Sequence, residues 1–390
     1  MAVVEQVKEF ESLSELLEDL DKEGIQGKER VQIYNHFLMM KARNAGVPHA
    51  GSFELTPYCN FDCKMCYVHL NSEQVAASGH VLSTAEWIDI MHQAVAAGMM
   101  HAELTGGECL LHPGFKEIYQ YLVSQGLRVT VLTNGELLSD DVVAFLRQYP
   151  PALIQVSIYG SDSQSYIQVT GRDAFADVIK GLHRLQKADL RFSLTITPSR
   201  YTQAHTEQLL ELVRSFGVPY GVSAVTLPAR QETGRDIDEF RVQEDSYLKI
   251  VRLEQQREQA AVPELSGAKR PYLYQLAGAK YSGLPCSSGN CAFHVNWKGE
   301  LTPCIPYHSV SKSILADGFQ TAWKWVREQM MKYAPPMECK ACELKQVCQS
   351  CPAEKTAGVF NGPVDQNVCK RWKILKDAGC LSSQNERNGV

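Results

Sequence analysis

The segment from Phe53 to Tyr67, FELTPYCNFDCKMCY, runs a strand-like stretch directly into a loop that carries Cys59, Cys63 and Cys66. A four-iron, four-sulfur cluster is saturated by four thiolates, so a loop that offers three leaves one iron open to take a ligand and do chemistry. Two plainer readings remain beside it, a structural zinc site and buried free thiols. Zinc sites usually close their tetrahedron with two CxxC-like pairs, and no partner pair lies near this loop. Free cysteine is among the most buried residue types.

The other cysteines make metal or redox chemistry the theme of the whole chain. There are thirteen in 390 residues, and the first twenty residues are charged without the apolar core of a signal peptide, so a secreted disulfide framework is not indicated. No run of about 18 apolar residues is present as a membrane helix would need. A cytoplasmic protein without membrane contact is expected. The formal charge of -5 gives no basic footprint for nucleic acid, which leaves a protein, peptide or small molecule as the substrate class. With 44% hydrophobic residues the chain is long enough for one large barrel-like domain and a smaller one, each with its own core.

Apolar positions at helical spacing, Val7 to Leu20 and Val31 to Leu38, are interrupted between Gly24 and Gly27 and predict two helices within a segment spanning 1–50. From Gly51 short apolar runs alternate with amphipathic stretches. Strands are expected near 52–57, 100–105, 127–133, 152–159, 190–197 and 220–226, with helices between them, which argues for a parallel α/β sheet over 51–228. Several of these strands end in polar or glycine-rich turns: Thr105-Gly106-Gly107-Glu108, Thr133-Asn134-Gly135 and Ser157-Ile158-Tyr159-Gly160. Glycines directly after a strand let the backbone approach a ligand closely. A charged, helix-like stretch at 236–261 reads as part of a bridge over 229–285.

Eight cysteines then crowd the region 286–380: Cys286, Cys291, Cys304, Cys339, Cys342, Cys348, Cys351 and Cys369. The run HVNWKGELTPC reads as a hairpin turning at Lys298-Gly299, which returns Cys304 to the side of Cys291. Metal clusters would staple a small domain with little core, and two zinc sites would do so equally well. The last segment, 381–390, reads as a disordered tail.

The spacing CxxxCxxC followed by an aromatic residue resembles the radical SAM superfamily, although Met65 stands where an aromatic is frequent. That resemblance implies a partial (β/α)6 TIM-like barrel and an open iron chelated by S-adenosylmethionine. It further implies cofactor contacts from Gly106, Gly107 and Glu108 to the methionine amino group, from Ser157 and Arg172 to ribose and carboxylate, and from Asn134 at the barrel mouth. The distal cysteines resemble the SPASM extension, with two residues rather than three between Cys348 and Cys351. By that resemblance Cys286, Cys291, Cys304 and Cys351 hold one auxiliary cluster and Cys339, Cys342, Cys348 and Cys369 a second, making three [4Fe-4S] clusters in all. Relatives of this architecture mostly modify peptides, and a one-electron donor such as flavodoxin or ferredoxin is implied. Others act on small molecules or tetrapyrroles or invert stereocentres, and a metal-stapled binding protein without chemistry is the non-enzyme alternative. Many peptide-modifying relatives carry a leader-recognition domain larger than the 58 residues preceding Cys59, so recognition is expected to be supplied otherwise. Sulfatase maturation is ranked lower, because Cys304 is followed by Ile305 and not by an aspartate base. No catalytic base is assigned. Cys109 and Cys380 are the free thiols left for hydrogen donation.

Overall fold

Regular structure begins with β1 (Gln6–Phe10) and the two expected helices, Leu13–Lys22 and Gly27–Ala45, in a computed structural model that describes residues 6–223, 229–230, 233–265, 272–276, 283–348 and 350–381. Six strands follow: β2 (Ala50–Glu54), β3 (His101–Thr105), β4 (Arg128–Thr133), β5 (Leu153–Ile158), β6 (Phe192–Ile196) and β7 (Tyr220–Val222). They pair in sequence order, all parallel, as the α/β alternation requires. Along β5, Ile154, Val156 and Ile158 are buried in the apolar shell. Gln155 and Ser157 point the other way and line a cavity inside the sheet's curve. The helix Thr84–Ala96 shows how the shell is made. Ser83 caps it in a capping box with Glu86, and Trp87, Ile90, Met91 and Ala94 recur on one buried face.

The cysteine-rich region does not fold as a separate body with its own core. The predicted hairpin forms as β9 (Ala292–Val295) and β10 (Glu300–Thr302), and its turn uses Gly299 at φ +77°. β9 then adds to the edge of the barrel sheet, parallel to β2 from Ala50↔Ala292 to Phe53↔Val295. With β11 (Lys312–Ser313), the sheet runs β11-β10-β9-β2-β3-β4-β5-β6-β7, an open barrel whose edges are β11 and β7. One apolar cluster crosses the junction, where the Phe293 ring meets Phe53, Phe319 and Trp323 with centroids 5.8, 5.0 and 6.1 Å away. The cysteine-rich extension thus shares apolar contacts with the barrel's core.

The N-terminal segment contains one feature that periodicity did not foretell. β1 pairs in parallel with β8 (Tyr272–Leu276), and Phe10, Leu16, Leu20, Ile33, Phe37 and Met40 form a small core apart from the barrel. The bridge contains the helix Glu244–Leu265. Residues 224–226 of the expected sixth strand, parts of the bridge, Gln349 between Cys348 and Cys351, and 382–390 of the expected tail lie outside the described residues. Among the described residues no helix is long and apolar enough to cross a membrane.

Candidate active site at the cysteine loop

β2 delivers the chain into the cysteine loop at the C-terminal edge of the sheet, where the Leu55 N–H still bonds Thr105 O at 3.0 Å. The loop then folds around its own sulfurs. The Phe61 N–H donates to Cys59 Sγ at 3.3 Å and the His69 N–H to Cys66 Sγ at 3.2 Å, while Asn134 Nδ2 stands 3.7 Å from Cys59 Sγ. Cys59, Cys63 and Cys66 all line the mouth of a cavity of about 360 Å³. Its walls include Gly106, Gly107, Asn134 and Ser157 of the sequence-derived set, together with Thr105, Gln155, Tyr159 and Thr195.

The two glycines after β3 are needed for a different approach from the one their position suggests. A Cβ on Gly106 would stand 2.5 Å from Thr56 O, and one on Gly107 would stand 2.2 Å from Tyr58 O. Those contacts are with the cysteine loop, which the Gly107 and Glu108 N–H groups grip at Thr56 O and Tyr58 O, 2.8 and 2.9 Å away. Glu108 is not among the residues lining the cavity and is 1% exposed. Its carboxylate accepts from the Thr133 hydroxyl at 2.9 Å and from the Asn134 and Leu110 N–H groups at 2.8 and 3.1 Å. Burial pushes it up to about 7, against the downward pull of those hydrogen bonds. The residue thus clamps the end of β3 to the end of β4. Arg172 is also outside the cavity wall, about half exposed, with Nε 2.6 Å from Glu136 Oε1. Glu136 in turn accepts from Asn60 in the cysteine loop.

No cysteine of the chain is in a disulfide. Burial pushes the Cys59 thiol up to about 12 and raises Cys63 and Cys66 as well, and the neighbouring thiols add repulsion at Cys59 and Cys63. Thiolates gathered there need positive charge among them, which iron supplies. Burial raises the distal cysteines too, and neighbouring thiols add to it. Burial pushes Cys304 up to about 12, with Cys351 and Cys286 adding to it, and Cys291 up to about 11, with Cys286 adding to it. Cys339 and Cys369 are raised by burial and then by their neighbours Cys342 and Cys348. Among the described residues no three or more His, Cys, Asp or Glu side chains converge as they would on a single ion. A polynuclear cluster takes its thiolates on different irons, so a spread donor set fits it. Cys109 is fully buried with Sγ donating to Leu132 O at 3.1 Å, and neither it nor Cys380 lines the cavity.

Three partners of the loop carried no sequence signal, because each lies far along the chain. Glu54, 1% exposed, receives both Arg230 Nη atoms at 3.0 and 2.5 Å. His294 on β9 places Nε2 3.4 Å from Glu54 Oε2. Arg235 donates to Cys63 O and to the Asp62 carboxylate.

A sequence model of the Radical SAM superfamily matches residues 53–213. The AdoMet-dependent heme synthase of Methanosarcina barkeri is 27% identical over 344 residues, 83% of this chain and 96% of that protein. The sporulation killing factor maturation protein SkfB of Bacillus subtilis is 25% identical over 280 residues, 70% of this chain and 64% of that protein. Among solved structures, Streptococcus suis SuiB bound to S-adenosylmethionine aligns with a TM-score of 0.62 at 13% identity, covering 92% of this chain and 88% of that one. The structure of anSMEcpe with bound AdoMet aligns with a TM-score of 0.63 at 15% identity, covering 86% and 98%. The two structural likenesses show the fold.

Proposed function

We propose, from the premise that this chain belongs to the radical SAM superfamily, that it oxidises a peptide or protein side chain, as a cross-link or a dehydrogenation. The observation that carries the chemistry is that Cys59, Cys63 and Cys66 line one cavity together with Gly106, Gly107, Asn134 and Ser157. A four-iron cluster on those three thiols would supply one electron to S-adenosylmethionine and so release a 5′-deoxyadenosyl radical inside the barrel. The chain's own part is to orient and enclose. The backbone of Gly106 and Gly107 and the Asn134 and Ser157 side chains offer polar groups to the methionine and ribose ends of the cofactor, with Glu108 fixing the Asn134 backbone. Arg172, its Nε tied to Glu136 and through it to Asn60, braces the loop's flank and is the residue that would bind the cofactor carboxylate.

The two distal quartets, Cys286, Cys291, Cys304, Cys351 and Cys339, Cys342, Cys348, Cys369, would each saturate a cluster and leave it electron transfer as its chemistry. Three [4Fe-4S] clusters, a flavodoxin- or ferredoxin-like donor and a cytoplasmic setting complete the proposal. Neither Cys109 nor Cys380 is among the residues lining the cavity, which supports oxidation over epimerisation. The peptide class draws support from SkfB, named as a maturation protein of a killing factor. A second reading, a heme precursor as substrate, is favoured by the heme synthase match along 96% of that protein.

Anaerobic turnover in heavy water, offered either a short precursor peptide encoded beside the gene or an iron-porphyrin heme precursor, separates the readings by mass spectrometry. The proposal expects a peptide product about two mass units lighter without deuterium gained at carbon. A peptide product of unchanged mass in ordinary water that gains one deuterium in heavy water contradicts oxidation, and turnover of the porphyrin alone replaces the peptide reading with the second one.

A further inference from the structure

Arg230 and Arg235 anchor a later part of the chain to the cysteine loop. Arg230 grips both oxygens of Glu54, the last residue of β2, and its N–H donates to Tyr67 O at 3.3 Å. The Thr233 hydroxyl donates to Arg230 O at 2.7 Å and accepts from the Arg235 N–H at 3.3 Å, so a hydrogen-bonded turn fixes where Arg235 starts. From it the guanidinium reaches Cys63 O through Nη1 and the Asp62 carboxylate through Nη2. Only 20% of the Arg235 side chain is exposed, whereas Asp62 is 72% exposed and also lies 3.6 Å from His69 Nδ1. Further along the same segment Arg241 pairs with Asp365, which caps the helix Gln366–Asp377 that carries Cys369.

We propose that Arg235 is a positioning residue for the cluster on Cys59, Cys63 and Cys66, fixing the loop at Cys63 and setting the ease of the cluster's reduction by its charge. This rests on the reading that those three thiols hold the cluster. Adding an electron makes a thiolate-bound cluster more negative, and a fixed cation held on the backbone of Cys63, one of its ligands, stabilises that added charge. A guanidinium suits the task because it is always charged and its planar fork can hold a carbonyl and a carboxylate at once. Asp62 partly neutralises it, so the two residues set the potential in opposite directions.

The test is a potentiometric titration of the reconstituted, full-length protein, followed by electron paramagnetic resonance of the one signal that changes when S-adenosylmethionine is added. Arg235→Gln is expected to lower that midpoint by at least a tenfold change in the reduction equilibrium, about 59 mV for one electron. Arg235→Lys should recover most of the shift, and Asp62→Asn should move the midpoint the opposite way. The signals that S-adenosylmethionine leaves unchanged should stay in place in all three variants. An unmoved midpoint in Arg235→Gln, or Lys no closer to the wild type than Gln, overturns the inference while leaving the cluster assignment intact. If Arg235→Gln loses the signal altogether, the Lys and Asn variants decide by the sign of their shifts. A wild-type protein with no S-adenosylmethionine-sensitive signal overturns the cluster assignment and the inference with it.

Discussion

Glu108 follows two glycines at a strand end, where its motif suggests an acceptor for an ammonium group, and its buried carboxylate accepts from Thr133, Asn134 and Leu110. Glu108→Gln puts an amide donor where only acceptors fit, leaving at least one buried N–H or O–H unsatisfied, at a cost of about 1–3 kcal/mol. The expected result is a lower thermal midpoint in the apo protein, with S-adenosylmethionine affinity falling through the displaced Asn134 backbone. Unchanged unfolding with tenfold weaker binding in calorimetry would instead mean that the carboxylate touches the cofactor directly. The three cysteines, Asn134 and Ser157, which line one cavity, were legible as candidates because they follow or end strands of the α/β alternation. Arg235 and Arg230 were not, since a solvated arginine and a loop-gripping one look alike until a contact 172 or 176 residues away is known.

At the scale of elements, strand and helix alternation in 51–228 was readable from periodicity, because each crossover helix must bury one face on the sheet. The junction of β9 with β2 was not, for the hairpin's pattern states that it forms and says nothing about which edge it joins. That junction is polar at one point: His294 lies beside Glu54, and its Nδ1 is 3.4 Å from Ser52 Oγ. Burial lowers the His294 pKa, while for Glu54 the upward push of burial is outweighed by Arg230 and His294, which hold it below the usual carboxylate range. Both shifts have the same consequence. The unfolded histidine binds a proton near pH ~6.5, and the carboxylate near ~4.3, at which the folded groups still resist it. Stability is therefore full above about pH 6.5 and declines as the pH falls, with the histidine first. Thermal midpoints measured from pH 8 to 5 should fall below about 6.5, and His294→Asn should flatten part of that fall. An identical slope in the variant would mean that His294 is protonated in the folded protein.

For the whole molecule, the barrel's curve gathers residues from β2 to β7 around one cavity, and the cysteine extension is joined to the same sheet through β9. Separate ligand sets on a shared core make a specific demand on metal content. With three clusters the protein should hold about twelve irons, and replacing Cys59, Cys63 and Cys66 together with Ala should leave about eight on the distal quartets. The most direct test of the central claim is the assay of 5′-deoxyadenosine formed by that triple variant with dithionite and S-adenosylmethionine. No 5′-deoxyadenosine, with the distal iron still bound, is the result predicted, and formation at the wild-type rate would contradict it.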